Sequence, residues 1–162
     1  MTAKECCKYM LEENRKFVGQ YLSDLSDADL AVRPAPGANP IGWQLGHMIV
    51  GEVMFFQKGM PGVKSPELPA GFAERHNADA AKADPPKGFL KKAEYVALFD
   101  KVRAATIAAL DKMGEADLDK DSGLGDFCPT VGKTFLMCAD HDMMHAGQFT
   151  VTRRKLGKPV LF

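Results

Sequence analysis

His141 and His145 stand four residues apart in the run HDMMHAGQ, which occupies positions 141 to 148. Four residues are close to one helical turn, so on a helix the two rings project from one face with Cβ atoms roughly 5 to 6 Å apart. Two imidazoles so placed can share a metal ion, each through a bond of about 2.0 to 2.1 Å where the ion is zinc. A pair alone is also what two core histidines would show, and the chemistry therefore depends on a third ligand. His47 is the candidate, because Trp43, Val50, Gly51 and Met54 surround it at helical spacing and would turn it toward a bundle interior. His76, in ERHNAD, is expected in solvent, as a loop histidine beside charges usually is.

The helpers available to such a centre are few. Gln148 follows His145 by about a turn and can bond a bound water or orient a ligand, and Asp142 can either accept a proton from a histidine ring or stand as a surface charge. Cys138 precedes His141 by about a turn and reads as a small hydrophobe first and a ligand second. Glu52 lies about 140° around its helix from His47, too far to join the metal directly.

These residues need helices to hold them, and four segments carry a helical period. The first runs from about Ala3 to Ser23, with Cys7, Met10, Leu11, Val18, Tyr21, Leu22 and Leu25 on one stripe. Asn14 interrupts that stripe, where an unpaired amide would cost about 1 to 3 kcal/mol. Its partner is either a neighbouring backbone group or water, or else it lines a polar pocket. The second helix is expected from Asn39 as cap and Pro40 as first residue to a stop before Pro61, with glycines at 42, 46 and 51 that make room for close packing or a pocket. The third covers about Lys91 to Met113 and reads as structural, and the fourth runs from Val131, capped by Thr130, to about Leu156. Arg153, Arg154 and Lys155 in its last turns suit the helix dipole.

Between the second and third helices, residues 61 to 90 hold prolines at 61, 66, 69, 85 and 86 and an alanine-rich patch able to form a short helical turn. A 19-residue helix is about 28 Å long, and roughly nine extended residues could return along it, so this stretch can act as a crossover that leaves its flanking helices parallel. On the fourth helix, Ala139 and Gly147 lie behind the histidine face, and such small residues would let a partner helix approach. The run TVGKT is not a phosphate loop, because the glycine that loop demands would fall at Phe127.

Lysine plus arginine balances aspartate plus glutamate at 21 each, which argues against a nucleic-acid or anionic-membrane partner. The opening residues show no apolar core of the signal-peptide kind, and Cys6, Cys7, Cys128 and Cys138 show no paired spacing. A cytoplasmic protein with reduced thiols is expected, folded as one domain over 1 to 162.

The combination of NPIGWQLGHMIVGE at 39 to 52 with HDMMHAGQ and the following RRKLGKP resembles the DinB or YfiT-like superfamily of metal-binding four-helix bundles, which is distinct from the DNA polymerase of similar name. The resemblance implies an all-α, up-down-down-up bundle, often a homodimer, with His47, His141 and His145 as metal ligands. One departure is Lys91, which stands where a serine or threonine cap would pair with Glu94. Three neutral imidazoles leave a coordination position open, and zinc or nickel is the expected ion. Some branches of the superfamily use a low-molecular-weight thiol, so the expected activity is a metal-dependent transfer of such a thiol to a small electrophilic substrate. The alternatives are a metal-dependent hydrolase and a non-catalytic metal-binding bundle in stress response. Asn14, Asp142 and Gln148 are the candidate pocket residues.

Overall fold

Thr2 starts the first helix. Its hydroxyl accepts the Glu5 N–H at 3.2 Å while the Glu5 carboxylate accepts the Thr2 N–H at 2.8 Å, which satisfies two amides that a helix start would leave without partners. In the computed structural model, which describes residues 1–60, 62–83 and 88–161, this helix is α1, Ala3–Leu22. It is followed by α2 (Ile41–Gly59), the single turn α3 (Phe72–Arg75), α4 (Lys92–Lys112) and α5 (Val131–Lys155). No strand occurs among the described residues. The prolines at 61, 85 and 86 lie outside them.

Two helix starts differ in detail from expectation. Pro40, not Asn39, flanks α2, and no side chain caps it; the Asn39 carbonyl instead accepts the Gln44 side-chain amide at 2.8 Å. At α4 the Glu94 carboxylate accepts the Lys91 N–H at 2.9 Å, but an ammonium group has no acceptor to offer in return. Half a capping box is enough to start this helix. Thr130 caps α5 as expected, by accepting the Lys133 N–H at 3.3 Å.

The four long helices form a bundle whose directions follow from named contacts. Asn14 reaches the Ala139 carbonyl and Arg153 reaches the Tyr21 carbonyl, each at 2.7 Å, so α1 and α5 run parallel. Lys8 pairs with Asp111 at 2.8 Å and Arg15 with Asp100 at 2.6 Å, so α1 and α4 are antiparallel. Gly51 faces His141 while Gly59 faces Thr134, which sets α2 against α5. The result is up, down, down, up, with a crossover between α2 and α4. Among the described residues no helix is long and apolar enough to cross a membrane.

The crossover is pinned rather than loose. His76 is 1% exposed, its Nδ1 lies 2.7 Å from the Phe72 carbonyl, and its Nε2 lies 2.7 Å from the Tyr95 hydroxyl. This corrects the expectation of a solvated ring. His76 sits in the space that Gly46 leaves on α2, where a Cβ would come within 2.0 Å of the ring. Gly46→Ala is therefore expected to destabilise the fold by about 1 to 3 kcal/mol through overpacking, outweighing the gain in helix propensity of about 1 kcal/mol. The check is the urea midpoint, and an unchanged value would mean that the ring does not occupy this gap.

Two further expectations are corrected. Arg153 does more than suit the helix dipole: it is 2% exposed and binds Asp24 at 2.5 Å as well as the Tyr21 carbonyl. Ala139 is fully buried against α1 and accepts from Asn14, so the helix that approaches it belongs to the same chain and not to a partner. The apolar core divides into two clusters, one containing Val18, Ile49, Phe99 and Phe149 and the other Leu11, Phe56, Leu110 and Phe135. Between them lies a polar layer in which Arg103, with no exposure, bonds Glu52 at 2.9 and 3.0 Å and Asp142 at 2.5 Å.

Candidate metal centre

α2 and α5 run antiparallel past each other, and the turn around His47 meets the turn holding His141 and His145. Gly51 makes the approach close: a Cβ there would lie 3.0 Å from the His141 ring, tighter than ordinary contact. One ring nitrogen from each of the three histidines falls within 4.8 Å of the other two, an arrangement that could hold a metal ion. His47 and His141 are half-buried and His145 is buried.

The ring orientations can be traced to their neighbours. His47 stacks on Trp43 with centroids 4.7 Å apart and planes 10° from parallel, and Trp43 is itself fixed by donating its indole N–H to the Asn77 carbonyl at 3.0 Å. His145 turns its Nδ1 to the Gln44 Oε1 at 3.0 Å. Because the Gln44 Nε2 already donates to Asn39, its oxygen faces the ring and the histidine must be the donor. That assigns the Nδ1–H form to His145 and leaves the Nε2 lone pair free. The freed Nε2 lies 3.2 Å from the His141 Nε2, and two nitrogens bound to one tetrahedral zinc would be about 3.3 Å apart.

Burial lowers the basicity of all three rings. The pKa of His141 falls to about 4, through burial and then the neighbouring His47. That of His145 also falls to about 4, through burial and then His141 and His47, with Gln148 opposing. His47 shifts down through burial alone. Near neutral pH the rings are therefore uncharged and each presents a lone pair, the form that ligates metals.

The remaining candidates are placed differently. Asn14 is a backbone partner of Ala139 and belongs to the α1–α5 packing. Asp142 neither orients a histidine nor lies on the surface: one residue beyond His141 it points about 100° around α5, into the polar layer with Arg103. Burial pushes its carboxyl up to about 7 against the opposing pull of Arg103, and Glu52 adds to the rise. Glu52, as expected, is turned away from the triad. Cys138 is buried in the core, and burial raises its thiol well above the ordinary value. Gln148 is exposed beside His145.

Sequence reasoning missed Gln44. The signal was a polar side chain within the otherwise apolar IGWQLG, three residues before His47. Removing its acceptor in Gln44→Met should lower metal affinity about 10- to 100-fold, the usual cost of losing a partner that orients a ligand. Gln44→Glu, which keeps an acceptor, should retain affinity. Competition with a chromogenic chelator reads both, and equal affinities in the two variants would remove this role.

The family model described as the DinB superfamily matches residues 10–149. A solved structure described as that of the conserved protein of locus from Enterococcus faecalis has a similar fold, with a TM-score of 0.71 and 16% identity over 98% of this chain and 99% of that one. No curated protein matches.

Proposed function

The chain belongs to the DinB superfamily, and from that premise we propose that it binds one divalent ion through His47, His141 and His145 and transfers a low-molecular-weight thiol to a small electrophile. The observation that carries the metal reading is the 3.2 Å approach of the His141 and His145 Nε2 atoms, with the His145 tautomer set by Gln44. Imidazole donors suit zinc or nickel. A divalent ion held by His47, His141 and His145 would keep its charge, and would supply Lewis acidity that lowers the pKa of a bound thiol or water.

The chain's own residues supply position more than proton transfer. Gln44 and Trp43 hold the rings, Gln148 stands at the rim, and Phe55 sets its ring edge-on to His141 at 6.3 Å. Among the described residues the ligand group contains no carboxylate, and Asp142 is committed to Arg103. Amide hydrolysis also needs a proton delivered to its leaving group, whereas a thiolate that displaces a halide needs none. This favours the thiol over the hydrolytic alternative. In the net step a sulfur–carbon bond forms, the bond from carbon to the leaving group breaks, and the thiol proton passes to solvent.

The homodimer implied by the family would use the exposed strip of α5 that carries Met143, Gly147 and Val151. The activity is tested on cobalt-substituted protein titrated with N-acetylcysteine. A near-ultraviolet sulfur-to-cobalt band, with metal-dependent alkylation of the thiol by a fluorogenic halide, is expected. Full metal loading without band or turnover would point to a non-catalytic bundle, and thiol-independent amide cleavage would point to a hydrolase.

A further inference from the structure

His141 and His145 sit on one helix, so α5 alone sets their spacing, whereas His47 meets them only if α2 lies correctly against α5. The His47 ring centroid stands 5.0 Å from that of His141 and 5.3 Å from that of His145. A ligand set of this kind tolerates errors of about 0.5 Å, and a slide of α2 by one residue is already about 1.5 Å. The two helices must therefore be fixed along their axes. The contact at this height does not fix them, because α2 presents Gly51 to the His141 ring, and a glycine has no side chain to interlock with the facing ridges. Among the described residues one direct polar bond joins α2 to α5, that from His145 to Gln44, and it ends on a candidate ligand itself.

Arg103 supplies the missing constraint. Glu52 directly follows Gly51 and Asp142 directly follows His141, so both carboxylates leave their helices one residue beyond the close contact. One guanidinium holds them both. Its Nε and Nη2 donate to the two Glu52 oxygens at 3.0 and 2.9 Å, and Nη2 donates also to Asp142 at 2.5 Å. Bidentate bonds of this kind fix direction as well as distance. The group cannot swing to follow a sliding helix, because Nη1 is committed to the Leu11 carbonyl at 3.0 Å and the Phe99 ring lies beneath it at 5.2 Å. Glu52 is braced in turn by the Thr106 hydroxyl, which donates to it at 2.6 Å. α4 thus carries a fork that grips α2 and α5 at the level of His141, and none of its bonds goes to a histidine.

We propose that Arg103 is a positioning residue for the candidate metal centre: it sets the register of α2 against α5 and so brings His47 to His141 and His145. Fixing register is the best-attested use of a buried ionic group. The role at a metal rests on the ligand reading above; the alignment of the three rings does not. The test therefore reads that alignment first, in the full chain kept metal-free with chelator, from nuclear Overhauser cross-peaks between histidine ring protons. Four histidines give a simple spectrum. In the wild type His47 should show cross-peaks to both His141 and His145. In the triple variant Glu52→Gln, Arg103→Met, Asp142→Asn, which removes the charges together, those two cross-peaks should be lost. The His141 to His145 cross-peak, internal to α5 with centroids 4.7 Å apart, should remain. Arg103→Lys keeps a cation but gives up the planar fork, and should show the same pattern. Zinc affinity should fall about 10-fold or more in both variants.

His47 cross-peaks that are absent from the wild type, or as strong in both variants as in the wild type, would overturn the proposal. Loss of all three cross-peaks together in both variants would overturn it equally, since a role in folding alone spares no pair. Unchanged zinc affinity in variants that have lost the His47 cross-peaks would remove the role at the metal. Wild type that shows the cross-peaks but takes up no zinc would overturn the metal reading alone, so the two failures give different results.

Discussion

Untagged protein is expected to carry about one divalent ion per chain, and His145→Ala close to none, since three ligands are the minimum that an open site of this type uses. His145 is the most informative single position because two observations meet there: its Nε2 faces His141 at 3.2 Å and its Nδ1 is held by Gln44 at 3.0 Å. His47→Ala and His141→Ala should also lose the ion. His76→Ala is the control, and the structure changes what that control means. Its ring is buried and bonded to Phe72 and Tyr95, so the variant should melt at a lower temperature yet keep its metal while folded. Plasma mass spectrometry on gel-filtered protein, read beside a melting curve, separates the two effects. Equal metal content in all four variants would sink the triad. Wild type that neither carries metal nor takes up added zinc or nickel would leave the three histidines as core residues.

The triad was readable because periodicity and residue type agree there. His47 shares a stripe with Val50, Gly51 and Met54, and the His141 and His145 spacing needs only a helix to become a pair. The crossover was one reading of the long irregular stretch after α2, and the up-down-down-up order was implied by the family resemblance. His76 was not readable, because its burial depends on the crossover docking into the space at Gly46 and on Tyr95, contacts remote in sequence that no local pattern encodes. Asp142 was misread for a related reason: its position beside His141 drew it to the metal, while its direction around the helix takes it to α4. Arg103 did leave a trace. Phe99, Arg103, Thr106 and Leu110 fall on one helical stripe, so a charged residue stood on an apolar face just as Asn14 did on α1 and implied a buried partner.

That partner set yields the second large effect. Arg103→Met is expected to destabilise the protein by about 3 to 5 kcal/mol, the usual result of removing one member of a buried ion pair. The guanidinium is fully buried and holds Glu52 and Asp142, whose side chains are 3% and 2% exposed. It also donates to the Leu11 carbonyl at 3.0 Å, and so ties α1, α2 and α5 to α4. Burial opposes its charge, but the two carboxylates outweigh burial and hold its pKa above the ordinary value. Methionine keeps the apolar stem and stops short of the guanidinium, so the loss comes from two carboxyl groups left without their cation, with a small cavity added to it. The triple variant Glu52→Gln, Arg103→Met, Asp142→Asn removes that imbalance and should recover most of the loss, because a neutral layer of similar volume often matches a buried ion cluster. The Glu52→Gln change keeps a side-chain oxygen for the Thr106 hydroxyl, which in the native protein donates to Glu52 at 2.6 Å. Urea unfolding followed by circular dichroism measures both variants. A single variant that loses less than about 1 kcal/mol would place the network in solvent, and a triple variant as unstable as the single one would show that shape and not charge holds the layer together.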